Sequence, residues 1–137
     1  MSAVTTHVLD SSTGMPAAGV AVVLESHADG QAEGAQLSKG EGRAEGAQLW
    51  KGEGRAEGVQ LGKAETDADG RVTSLGPDRL EPGTYQLRFG VSAYFAGRGE
   101  ETFYPEVVVA FTVTDPDQHY HVPLLLSPFG YSTYRGS

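Results

Sequence analysis

The sequence predicts an all-β fold, an antiparallel β-sandwich with one short helix. Three observations predict it: six short runs rich in β-branched or aromatic residues, turn chemistry between them, and a single segment that reads as helix. The first run, Val4 to Leu9, alternates with period two, placing Val4, Thr6 and Val8 on one face and Thr5, His7 and Leu9 on the other. The valines claim the core, so His7 points outward. The turn residues Ser11-Ser12-Thr13-Gly14 close that run, and Val20 to Glu25 supplies the next strand. Leu61 to Glu65 is followed by Asp67-Ala68-Asp69-Gly70, and Glu81-Pro82-Gly83 introduces Thr84 to Phe89. Val91 to Gly97 is the short helix. Glu106 to Thr114 ends at Asp115-Pro116-Asp117. In the last run, Tyr120 to Leu126, the inner face is Tyr120, Val122, Leu124 and Leu126, which leaves His119 and His121 together on the opposite face. That face also carries Pro123 and Leu125, too apolar for open water, so it is expected to meet another subunit.

With 137 residues, the default is one domain spanning residues 1–137. A net charge of -8 argues against nucleic acid or an anionic membrane as partner, since both need clustered Lys and Arg. The absence of cysteine excludes disulfides, thiolate metal sites and a thiol nucleophile. There is no apolar run long enough to span a membrane and no leader pattern, so a cytoplasmic protein is expected. One region is irregular. Three copies of a twelve-residue unit, GQAEGAQLSKGE, GRAEGAQLWKGE and GRAEGVQLGKAE, run from Gly30 to Glu65. Nine of these 36 residues are Gly, a backbone entropy cost that one Leu per copy does not offset, so a flexible loop insertion at about 30–62 is expected. Trp50, the only tryptophan, lies in the second copy.

The reactive residues admit several readings. A strand histidine is usually a surface or hydrogen-bonded residue, but His7, His119 and His121 all face outward. An imidazole titrating near pH 6.5 can act as general base toward water. A His-x-His pair with His7 as third ligand also suits zinc with an open position. Arg71, after Asp67-Ala68-Asp69-Gly70, is either an exposed loop charge or a planar donor for a flat, anionic or carbonyl-rich ligand. Tyr134, Arg135 and Ser137 form no triad by spacing, and Gly-x-Ser-x-Gly is absent.

The chain resembles the transthyretin-like 5-hydroxyisourate hydrolases of purine catabolism. The resemblance rests on Thr6-His7-Val8-Leu9-Asp10 with Thr13-Gly14-Met15-Pro16-Ala17, on Thr66-Asp67-Ala68-Asp69-Gly70-Arg71, on Phe103-Tyr104-Pro105-Glu106-Val107, and on His119-Tyr120-His121-Val122-Pro123-Leu124-Leu125 with the ending Tyr134-Arg135-Gly136-Ser137. It implies a sandwich of about eight strands, assembled as a homotetramer with active sites where dimers meet. It also implies hydrolytic opening of 5-hydroxyisourate at the N1–C6 amide in urate degradation. The residues it implies are His7, Arg71, His121 and Ser137 for catalysis and His7, Arg71, Tyr134 and Arg135 for substrate binding, with His119 beside them. No cofactor is implied. Zinc at His7, His119 and His121 is the alternative from residue chemistry. The rival function is a transthyretin-type binding module for small aromatic ligands, which shares the fold.

Overall fold

The computed structural model describes residues 2–27 and 58–136. The first two repeat copies, most of the insertion including Trp50, and Ser137 lie outside the described residues. Nine strands and one helix are described: β1 (Val4–Asp10), β2 (Met15–Pro16), β3 (Ala21–Ser26), β4 (Gln60–Glu65), β5 (Arg71–Val72), β6 (Gly83–Phe89), α1 (Val91–Ala96), β7 (Val107–Val113), β8 (Tyr120–Ser127) and β9 (Gly130–Thr133). The six strands and the helix expected from sequence are all present, with ends shifted by a residue. Three short strands are additional. β2 and β5 are two residues each, below the length at which alternation is visible, and β9 follows the tight turn Ser127-Pro128-Phe129-Gly130 at the chain's end.

The strands form two layers. One sheet runs β9-β8-β1-β2, with β5 also pairing to β1, and the other runs β4-β3-β6-β7. All pairs are antiparallel except β1 with β8, which is parallel and sets Thr5 opposite His121 and His7 opposite Pro123. That one departure from an antiparallel sandwich brings the first and last long strands side by side.

Alternation builds the core as the residue pattern requires. Val4, Thr6 and Val8 of β1 are buried, as are Tyr120, Val122, Leu124 and Leu126 of β8. They pack with Leu24, Leu87 and Phe89 of the facing sheet. Each of the Val, Leu and Phe side chains among these contributes about 1.5–3 kcal/mol by leaving water. The six-residue helix buries Val91 and Phe95, one turn apart, against this core.

Two buried polar residues tie the loops to the layers. Thr66 donates its hydroxyl to the Ala17 carbonyl at 2.6 Å and accepts from the Val20 N–H at 2.9 Å. Asp10 accepts from the Ser12 N–H at 3.0 Å and the Tyr94 hydroxyl at 2.9 Å. Burial pushes its carboxyl up, but the bonds from Ser12 and Tyr94 and the nearby Arg98 outweigh this and hold it below the usual range.

In β4, Gly62 lies against the backbone of Gly76: a Cβ there would stand 2.6 Å from the Gly76 nitrogen and 2.7 Å from its Cα. The ninth position of the repeat is Ser38 in the first copy, Trp50 in the second and Gly62 in the third. The end of the third copy is thus a sheet strand, paired to β3 from Ala21–Glu65 through Glu25–Gln60.

Candidate active site

The outer face of the β9-β8-β1-β2 sheet collects three of the residues that the sequence singles out, His7, Arg71 and His121. His7 comes from the middle of β1, and His121 from the start of β8. Arg71 opens β5 and pairs directly with His7. Its position is set by the turn before it. Gly70 adopts φ 75°, where a side chain would collide with the Val8 carbonyl, and its own carbonyl accepts the Val8 N–H at 2.7 Å. Asp67 Oδ1 accepts from the N–H groups of Asp69 at 2.8 Å and Arg71 at 3.0 Å. Those two N–H groups, Arg71's first, hold the Asp67 carboxyl below its ordinary value. The Arg71 guanidinium, by contrast, makes no ion pair or hydrogen bond among the described residues and is exposed, so its planar donors are available to a ligand.

His121 is half-buried, with His119, Arg71 and His7 as neighbours. Burial first, then the neighbouring His119, Arg71 and His7, holds its imidazole below the ordinary value of 6.5. A ring kept neutral in this way can accept a proton from water at neutral pH. His119, next to β8, is exposed, and its ring centroid is 6.5 Å from that of His121.

The tail folds back onto this face. Gly136 forms an isolated bridge with His121, its N–H donating to the His121 carbonyl at 2.8 Å. A Cβ on Gly136 would stand 2.5 Å from Cδ2 of the His121 ring, so the close approach needs glycine. Tyr134 is exposed. Arg135 lies over the ring of Tyr120 at 4.6 Å and donates to Gln118 Oε1 at 3.0 Å. Tyr120 belongs to the inner face of β8, so this guanidinium covers the flank of the core and is not drawn to the imidazoles within the single chain. With Val109, Phe111 and Val122, Tyr134 and Arg135 line a cleft of about 290 Å³ at that flank.

The structure therefore brings His7, Arg71 and His121 together, holds His119 beside them and sets the tail against His121. Among the described residues no group of three His, Cys, Asp or Glu is placed to hold a metal ion. The nitrogens of His119 and His121 that face each other instead meet one hydroxyl. Sequence reasoning missed that residue, Thr5, whose Oγ1 lies 3.0 Å from Nε2 of His119 and 2.8 Å from Nδ1 of His121. Alternation put Thr5 on the right face. Only the parallel register of β1 on β8 puts it between the rings.

Known proteins resemble the chain along its length. A 5-hydroxyisourate hydrolase of Mus musculus is 41% identical over 137 residues, covering 99% of this chain and 96% of the mouse protein. Among solved structures, the 5-hydroxyisourate hydrolase of Klebsiella pneumoniae superposes with a TM-score of 0.69 at 31% identity, covering 98% of this chain and 92% of that one. The transthyretin of Sparus aurata superposes with a TM-score of 0.74 at 24% identity, covering 99% and 97%, a likeness of fold alone. The family model described as the HIUase/Transthyretin family matches residues 4–136, and together with these relatives it shows that the chain belongs to that family.

Proposed function

We propose that the chain hydrolyses 5-hydroxyisourate, opening the ring at N1–C6 to give 2-oxo-4-hydroxy-4-carboxy-5-ureidoimidazoline in urate degradation. The observation that carries it is the junction of His7, Arg71 and His121 on one sheet face, in a chain about 40% identical to a named hydrolase over nearly its full length. In this reading His121, with His7 assisting, takes a proton from a water molecule as its oxygen adds to C6. Arg71 holds the flat heterocycle and stabilises negative charge on the C6 oxygen in the tetrahedral intermediate. The C6–N1 bond then breaks, N1 leaves and takes the proton from the imidazolium, and C6 stays on the product as a carboxyl group that loses its remaining proton to solvent. No covalent enzyme intermediate forms. Tyr134, Arg135 and Ser137 belong to the same proposal as residues that close the cleft and bind the ring carbonyls once a neighbouring subunit completes it.

Assembly as a homotetramer with sites where dimers meet is part of this reading. Its support is the apolar character of the imidazole-bearing face, where Pro123 is buried and Leu125 half-buried, together with exposed Phe129 and Tyr131 at the edge. A cytoplasmic location completes the proposal; among the described residues no helix is long and apolar enough to cross a membrane.

Stopped-flow decay of freshly made 5-hydroxyisourate tests the assignment. His121→Ala should lose at least about 100-fold in turnover, the low end of a general base's contribution. Near wild-type decay would remove His121 from the mechanism. In the same assay, exhaustive chelation should leave the rate unchanged; a rate abolished by chelation and restored by zinc would favour a metal-dependent reaction.

A further inference from the structure

The mechanism above leaves Thr5 without a role, although its side chain is almost wholly buried and its hydroxyl stands between two imidazoles. A threonine hydroxyl has one proton to donate and lone pairs with which to accept. Among the described residues this buried hydroxyl meets no acceptor other than the two rings, so its proton goes to one of them and the other ring donates an N–H to the same oxygen. Because Thr5 meets Nε2 of His119 but Nδ1 of His121, this requirement links the tautomers of the two neutral rings. If Thr5 donates to His119 Nε2, both rings carry their protons on Nδ1. If it donates to His121 Nδ1, both carry them on Nε2.

Only the first arrangement leaves His121 Nε2 with a free lone pair. The second places a proton on that nitrogen and disables it as a base. Neutral histidine in water favours the proton on Nε2, so the useful tautomer needs a partner at Nδ1 to hold it. Taking the hydrolase reading of the site as its premise, we propose that Thr5 is a positioning residue that locks His121 and His119 together as Nδ1–H tautomers, keeping His121 Nε2 free to accept the proton of the attacking water. The parallel register that sets Thr5 opposite His121 makes the lock a property of the sheet.

The test uses the full chain with Thr5→Val, which keeps the shape and removes the hydroxyl, and Thr5→Ser, which keeps the hydroxyl. Long-range 1H–15N spectra of the imidazoles, taken where the rings are neutral, report the tautomers. Stopped-flow kinetics separates kcat from KM. In the wild-type chain both His119 and His121 should carry the proton on Nδ1. Thr5→Val should release His121 to the Nε2–H form and lower kcat by about 10- to 100-fold with little change in KM, a partial loss of general-base action through the wrong tautomer. Thr5→Ser should restore both. A wild-type His121 protonated on Nε2 would overturn the proposal, as would a Thr5→Val chain that loses kcat while keeping the wild-type tautomer. A wild-type chain that does not consume 5-hydroxyisourate would overturn the hydrolase reading and the positioning role with it; Nδ1–H rings in that chain would place the failure in the reaction assigned, not in the hydroxyl's geometry.

Discussion

At the scale of single residues, the proposed reaction needs a histidine kept uncharged. His121 must be neutral to accept a proton, and burial together with His119, Arg71 and His7 disfavours its cation. The sign follows directly: a depressed imidazole value extends the neutral form toward acid. The acid limb of kcat/KM should therefore fall below pH 6.5, the ordinary imidazole value. A profile whose acid limb lies above 6.5 would mean that another group, or a His121 in a different environment, limits the free enzyme. Gly136 belongs to the same scale. It admits the tail to within contact of the His121 ring, which ties Gly136 to the imidazole proposed as the base.

Among the elements, the long strands were legible in the sequence because each buries one face and exposes the other. Val4 to Leu9 and Tyr120 to Leu126 showed which side their histidines take, and the structure bears this out. Pairing was not legible, since period two says nothing about which strand lies beside which or in what direction. Thr5 was lost for that reason, and so were the pairing of Arg71 with His7 and the short strands Met15–Pro16 and Arg71–Val72. The resemblance supplied Arg71 where spacing alone left it open. Thr66 shows how a loop is secured: its hydroxyl serves both Ala17 and Val20 from a buried position. Thr66→Val should cost about 1–3 kcal/mol, because the Val20 N–H loses its acceptor inside the protein. Urea denaturation would read this as a lower midpoint at unchanged slope. An unchanged midpoint would show that water reaches the site.

For the whole molecule, the strand edges among the described residues include β9 in one layer and β4 and β7 in the other, and the imidazole-bearing sheet turns an apolar outer face away from its own core. A tetramer mass in sedimentation is the expected outcome, and a monomer with full activity would show that one chain completes the site. Removing 30–53, two whole repeat copies, should change neither that mass nor the rate, since the third copy still supplies the strand that pairs with β3. A fall in either would give the first copies a role in assembly or access. Most of the acidity lies outside the repeats, which hold six Glu against five Lys or Arg, while the chain as a whole has a net charge of -8.

The contact between Gly62 and Gly76 gives the repeat array a direction in its possible histories. Unequal exchange that multiplies the Ser38 or Trp50 type of unit adds sequence that this place in the sheet rejects at its ninth residue. Multiplying the Gly62 type would create a second segment able to compete for the same partner strand, and with it two registers for one protein. The identity of the final copy is thus held, at its ninth residue, by a backbone that leaves no room for a side chain.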